Sequence, residues 1–372
     1  MKAKRMLTVA VSVLSATAGL SRAQAPAPTP ALRTGPGVQA GADAREPEVL
    51  AACKNPPPAR GGAARGGGAP KGAFNAALNG HREYTVTEIS GVVAAGTRWK
   101  EEIWQESGLN ADGIVGTKDG GLLLAQNDKS DVVKLDKDGK PSVLYTDTNT
   151  GGGLTMSPKG ELFIVSRGLH EAIVELAPKR RIFADKYQGD PLDCVGGELN
   201  DLVADSKGGI YFNMGPPPSE KNGVFYANAK GEVTHYSHNL NVNGIALNPD
   251  EKTLYVTNGP ALAAFDVQKD GSLTNQRDFF AKWDEGNGDG SAIDNSGRIF
   301  VSTPQGVRVI GTDGTYLGLI PTPRPINSLA FGGPAKKTLF AVAQVRDGDP
   351  SHNAVQIISI QTLTEGPKGR AK

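Results

Sequence analysis

The chain has 372 residues, with 40 Lys and Arg against 39 Asp and Glu and a formal net charge of +1. So even a balance leaves no electrostatic footprint for nucleic acid. The one apolar stretch near the start is too short, and too broken by Ser, Thr and Gly, to span a bilayer.

In chain order, the start has the layout of a secretory signal. Lys2, Lys4 and Arg5 precede an apolar core over residues 6–20, which ends in two overlapping small-x-small sites, Ser21-Arg22-Ala23 and Ala23-Gln24-Ala25. The second would leave Pro26 as the new N-terminus, a poor fit for cleavage, so residues 1–23 are expected to leave and the product to be secreted or periplasmic. Residues 24–72 are mostly Ala, Pro, Gly and Arg, with almost no aromatic or β-branched side chains. Such a stretch cannot bury enough apolar surface to offset its chain entropy, and a disordered tether is expected. Residues 73–365 are left as one folded domain. The two cysteines, Cys53 and Cys194, leave two readings open. In an oxidising compartment they pair and pin the tether near the third repeat, or Cys53 stays free in the tail.

Residues 83–89 (Glu-Tyr-Thr-Val-Thr-Glu-Ile) alternate cleanly and read as a strand, with residues 99–104 as the competing candidate. Beyond them one phrase recurs six times. A small polar residue is followed by apolar or small residues, a short Asp/Lys/Ser/Gly turn and an apolar strand. The copies start at Asp112, Gly152, Asn200, Asn243, Asp289 and Asn327, at intervals of 38 to 48 residues. In the first copy, residues 112–116, 122–126, 132–135 and 142–145 read as four strands joined by Asp-Gly and Gly-Gly turns, where Gly supplies the positive φ of a tight hairpin. Four short strands per repeat at this period specify an all-β fold, a six-bladed β-propeller with four-stranded antiparallel blades. The last copy supplies three strands. A strand from the N-terminal side, residues 83–89 for preference, is expected to close the ring and remove an exposed edge.

Equivalent positions of successive blades converge on the propeller axis, so Asp112, Asn200, Asn243 and Asp289 are expected to meet there. Two carboxylates and two amide oxygens form a hard donor set that suits Ca²⁺ or Mg²⁺, and four converging oxygens with two charges are costly to leave unpaired. Asn327 reads instead as a residue bonding backbone at the channel mouth. The histidines lack cysteine partners and offer no rival site. Loops between second and third strands open on the same face as the ring. They hold Asn127, Asp128, Arg167, His170, the run Met214-Gly215-Pro216-Pro217-Pro218, Gln305 and residues 346–352. Arg167 and His170 are the chosen substrate contacts, with solvated loop residues as the plain alternative.

These phrases resemble the gluconolactonase branch of the SMP-30/gluconolactonase/LRE family. The resemblance is carried by Phe183-Ala184-Asp185-Lys186-Tyr187-Gln188-Gly189 with Leu199-Asn200-Asp201-Leu202, by Asn243-Gly244-Ile245-Ala246 with Thr253-Leu254-Tyr255-Val256, by Asp289-Gly290, and by Asn327 through Phe331-Gly332-Gly333. It implies a six-bladed propeller with one divalent cation in the channel, Ca²⁺ first and Mg²⁺ or Zn²⁺ as alternatives. Metal ligands carry over onto Asn243 and Asp289, with Asn200 touching metal or substrate. In the first blade the family's Glu is matched by Asp112, one methylene shorter. Two residues before Asn200, where some members hold a sugar-acid carboxylate with Arg, this chain has Glu198, which argues against the usual aldonolactones. The expected function is metal-dependent hydrolysis of a lactone or related cyclic ester, a small-molecule substrate. The metal would hold the carbonyl oxygen, and Asp289 would serve as general base or hold the water. The competing expectation is a non-catalytic propeller that binds a ligand or protein around a structural cation.

Overall fold

The computed structural model describes residues 45–57, 80–107, 110–215, 223–237, 239–284, 286–346 and 353–372. The leader and most of the tether lie outside the described residues, as do residues 216–222 and 347–352 of two mouth loops.

One short helix, α1 (Glu46–Ala51), precedes the sheets, and β1 (Lys100–Ser107) is the first strand. The first blade is β2 (Ala111–Gly116), β3 (Leu122–Gln126), β4 (Asp131–Leu135) and β5 (Pro141–Tyr145). The second is β6 (Leu154–Met156), β7 (Leu162–Ser166), β8 (Ala172–Ala177) and β9 (Arg181–Ala184). A small hairpin, β10 (Lys186–Tyr187) and β11 (Asp190–Pro191), leads to the third blade: β12 (Leu199–Ala204), β13 (Ile210–Met214), β14 (Gly223–Ala227) and β15 (Val233–His235). The fourth is β16 (Val242–Leu247), β17 (Thr253–Asn258), β18 (Leu262–Val267) and β19 (Leu273–Phe280). The fifth is β20 (Ser291–Ile293), β21 (Ile299–Thr303), β22 (Gly306–Ile310) and β23 (Tyr316–Pro321). The sixth takes β24 (Ile326–Gly332), β25 (Thr338–Val345) and β26 (Ala354–Gln361). All six blades are four-stranded and antiparallel, and the inner strands β2, β6, β12, β16, β20 and β24 contact one another in a closed ring.

The apolar pattern follows from this geometry. The two middle strands of a blade lie between neighbouring blades and are buried on both faces; β3, β7, β13 and β21 are buried throughout. Outer strands face water, so β5 is almost wholly exposed. The core sits between blades, as in the cluster that joins Phe163 and Ile173 of the second blade to Phe212 and Phe225 of the third.

The ring is closed from the N-terminal side, but by a different strand. β1 pairs antiparallel with β26 and completes the sixth blade as β1-β26-β25-β24. The preferred residues 83–89 form no strand and make only an isolated bridge, Ile89 to Val93. Their alternation has another cause. Val86 and Ile89 join Val92, Val93 and Trp99 against Phe300, Val309 and Ile320 of the fifth blade and Ile358 and Ile360 of the sixth. Their apolar face plugs a gap between blades, while β1, an outer strand, needs little apolar patterning.

Within the stretch read as tether, residues 45–57 carry α1 and, just after it, Cys53, which forms a disulfide with Cys194 across 141 residues of sequence. At the other end the fold runs past residue 365. Residues 362–372 lie against the ends of the inner strands, with Arg370, Ala371 and Lys372 buried.

Candidate active site in the central channel

The ring residues come together by one local device repeated around the axis. Asp112, Asn200, Asn243 and Asn327 each lie at a break in register between the first and second strands of their blade. A bulge of this kind re-aims a side chain out of the alternation of the strand. All four, and Asp289, are partly buried and flanked on both sides by buried residues. The glycine that follows three of them has a physical cause. A Cβ on Gly244 would come within 2.4 Å of the Asp289 carbonyl oxygen, because the backbones of neighbouring blades touch here. The Gly244 N–H donates to the Asp289 carbonyl at 3.2 Å, and the Gly290 N–H to the Asn327 carbonyl at 2.8 Å.

The second blade departs from the pattern. Its ring position is Gly152, and the space is filled by Arg167 from the loop between β7 and β8; a Cβ on Gly152 would lie 2.0 Å from Arg167 Nε. The Arg167 guanidinium donates through Nη2 to Asp112 Oδ2 and to the Asn200 carbonyl, the latter at 2.8 Å. Burial opposes its charge. The Asp112, Glu198 and Asp201 carboxyls outweigh that cost and hold its pKa above the ordinary value. Arg167 therefore bridges the first and third blades inside the channel. His170 lies on the same loop but is exposed, with a left-handed φ of 67°. The loop is pinned from outside the ring: Asp193 accepts the N–H groups of His170 at 3.0 Å and Glu171 at 3.1 Å, and Asp193 adjoins the disulfide cysteine Cys194.

Burial pushes the Asp289 carboxyl up to about 8, with the Asp112 and Asp201 charges adding to the shift and Arg167 opposing it. Burial also raises the Asp201 carboxyl, against the pull of the Lys372 ammonium. Two amide oxygens at the ring, Asn243 Oδ1 and Asn327 Oδ1, are buried without a hydrogen-bond partner. Asn327 Nδ2 donates to the Ala111 carbonyl at 2.8 Å, the backbone role expected of it, yet its oxygen remains spare.

A divalent cation fits this donor set. Among the described residues no group of three or more His, Cys, Asp or Glu side chains is gathered for a metal. The channel instead offers two ring carboxylates and unpartnered amide oxygens, the hard mixture that suits Ca²⁺. Asn243 and Asp289 are free to serve, whereas Asp112 is already engaged by Arg167.

Sequence reasoning missed two features. The spare oxygen of Asn327 was hidden because its amide does perform the expected backbone task. The ion pair of Lys372 with Asp201 beneath the ring joins residues 171 positions apart and leaves no local pattern.

The family model described as SMP-30/Gluconolactonase/LRE-like region matches residues 152–344. A gluconolactonase of Zymomonas mobilis is 28% identical over 233 residues, 55% of this chain and 62% of the relative, so the chain spans less than two thirds of that protein. The solved structure of a gluconolactonase from Xanthomonas campestris superposes with a TM-score of 0.62 at 22% identity, covering 75% of this chain and 94% of that one. A calcium-binding protein, regucalcin, from Agrobacterium tumefaciens gives 0.58 at 19% identity, covering 70% and 94%. At such identities the two structures establish the shared fold.

Proposed function

The chain belongs to the SMP-30/gluconolactonase/LRE-like family, and from that premise we propose that it is a lactonase-type hydrolase of a small cyclic ester, with its site at the ring of Asp112, Arg167, Asn200, Asn243 and Asp289. The observation that carries the reading is the convergence of Asp289, the unpartnered Asn243 Oδ1 and the Arg167–Asp112 pair in one partly buried channel. Asp289, Asn243 and Asn200, with Asp112 where Arg167 yields it, would hold a divalent cation, Ca²⁺ first. When bound, such a cation supplies a Lewis acid for the ester carbonyl and holds Asp289 ionised.

The chain's own groups do the rest. Ionised Asp289 takes a proton from the attacking water at a carboxylate oxygen, a new C–O bond forms at the carbonyl carbon, and the ring C–O bond breaks. The proton then passes to the departing alkoxide, giving a hydroxy acid. Arg167, fixed by Asp112 and the Asn200 carbonyl, offers N–H donors to an oxygen of the substrate and steadies negative charge developing there. Glu198 makes the mouth beside Arg167 acidic, which favours neutral lactones over those carrying a carboxylate. A secreted or periplasmic home is part of the proposal; the Cys53–Cys194 disulfide supports it, because such bonds persist in oxidising compartments.

The test is a panel of lactones and aryl esters with purified protein, with chelator and with Ca²⁺ restored. Turnover that falls with chelator and returns with Ca²⁺ is expected. No turnover anywhere in the panel would shift the assignment to a binding propeller with a structural cation.

A further inference from the structure

Below the ring, the channel ends on a segment whose composition gives no reason for it to be there. Residues 362–372 (Thr-Leu-Thr-Glu-Gly-Pro-Lys-Gly-Arg-Ala-Lys) contain one large apolar side chain, Leu363, and that one is 54% exposed. Hydrogen bonds hold the segment instead. Thr364 Oγ1 donates to Asp294 Oδ2 at 2.9 Å in the fifth blade, and the Gly366 N–H donates to the Lys336 carbonyl at 2.8 Å in the sixth. Arg370 reaches the Leu247 carbonyl in the fourth, and lies 3.5 Å from Glu251. Ala371 exchanges backbone bonds with Met156 of the second at 3.1 and 3.2 Å. Lys372 then donates to Asp201 Oδ1 in the third. The segment thus touches five blades, four of them at or past the ends of their inner strands, and Lys372 reaches into the channel to Asp201 near the start of β12.

Asp201 sits one residue past Asn200. A Cβ on Gly153 of the second blade would come within 2.6 Å of its Oδ1, and its Oδ2 accepts the Ile245 N–H of the fourth blade at 3.1 Å. It therefore lies on the axis side of three adjacent blades, beneath the ring. Both partners of the pair are sealed from solvent, with side-chain exposures of 4% for Lys372 and 8% for Asp201.

We propose that residues 362–372 are a plug for the channel floor and that Lys372 is a cation built into the channel, which neutralises Asp201 and so limits how tightly the ring above takes a divalent cation. The second half rests on the metal reading of the ring given above. Arg167 and Lys372 oppose the carboxyls of Asp112, Asp201, Asp289 and Glu198, so the channel keeps two negative charges unmatched when all four are ionised. Removing Lys372 leaves three, and in a site screened by protein rather than water that change acts strongly on a divalent ion.

Calorimetric titration of the full chain with Ca²⁺ tests this. Lys372→Met, which keeps the stem and drops the charge, should bind Ca²⁺ at least about tenfold tighter than the wild type. Lys372→Arg should match the wild type, and Asp201→Asn should bind at least about tenfold weaker. Pairing Asp201→Asn with Lys372→Met should bring affinity back towards the wild type. Should Lys372→Met fail to fold, the step from Asp201→Asn to the double variant measures the same charge and must still raise affinity. Affinity that is unchanged or weaker on loss of the Lys372 charge overturns the proposal. A wild type that binds no Ca²⁺ removes the metal reading of the native ring; a site gained by Lys372→Met then still supports the charge role of Lys372, and no site in either protein overturns it.

Discussion

The two ends of the channel are built from the same residue types and differ in how completely those residues are satisfied. At the floor each buried charge faces an opposite one, Lys372 with Asp201, Arg370 with Glu251, and Asp294 with Arg298 at 2.6 Å, and among their buried atoms only Arg370 Nε is left without a hydrogen bond. At the ring, Asp289 has a carboxyl pushed up to about 8, Asn243 Oδ1 is unpartnered, and a guanidinium stands where the second blade lacks a ring side chain. Satisfied polar groups hold a fold together; unsatisfied ones at the axis of a rigid ring mark where something else is meant to bind.

The largest effect should come from replacing the proposed base. Asp289→Asn keeps size and one oxygen but loses basicity, and turnover should fall on the order of 10²- to 10⁴-fold. Retained turnover in that variant, measured on whichever lactone the wild type cleaves, removes Asp289 from the mechanism. Next is the guanidinium. Arg167→Ala should raise KM about 10- to 100-fold with a smaller change in kcat, the effect of a lost charge-assisted contact. Gly152→Ala should reproduce it without touching Arg167, because the added methyl claims the space the guanidinium occupies. If Gly152→Ala leaves KM unchanged, Arg167 does not act from that position.

Away from the ring, effects should appear as stability. Cys53→Ser should cost about 2–4 kcal/mol in denaturant unfolding, the usual value for a bond closing a long loop. KM should rise as well, because Cys194 adjoins the Asp193 that pins the Arg167 loop. The smallest change should follow Thr364→Val at the floor, about 1 kcal/mol for one hydrogen bond, with kinetics unchanged.

The same contrast has a pH signature. With its carboxyl near 8 in the folded, metal-free protein and near 4 when unfolded, Asp289 makes the native state hold more protons between those values. Metal-free stability should therefore fall as pH rises from about 4 to about 8 and level off above. Melting temperatures across that range should show the slope, and Asp289→Asn should reduce it, with the raised Asp201 carboxyl supplying a remainder of the same sign.

Much of the ring was legible in the sequence because backbone contact between blades forces its grammar. An oxygen-bearing residue followed by glycine recurs at Asp112, Asn243 and Asp289 since the next blade leaves no room for a Cβ on the second, and at Asp112 and Asn243 a bulge aims the first inward. The turn glycines made the strands readable for the same kind of reason. Residues 83–89 misled because alternation reports a buried face and says nothing about a pairing partner. β1 was the weaker candidate because an outer strand has no fully buried face and carries Lys-Glu-Glu at its start, with only Ile103 and Trp104 packed against the core. The floor was illegible: hydrogen bonds from Thr364, Arg370 and Lys372 to distant carbonyls and carboxylates follow no period.

The closing of the sixth blade by β1 has a practical side for anyone trimming the gene. A piece cut to the family match, residues 152–344, would carry most of the recognisable phrases. It would lack β1, the whole first blade with Asp112, and β26. What remains is an open crescent, with β6 and β24 each missing the inner strand between them and β25 stripped of its neighbour. Bare strands of that kind recruit strands from other molecules. A minimal working piece must therefore reach from before Trp99 through Lys372, and a fluorescent or affinity tag fused directly after Lys372 would press on the channel it closes.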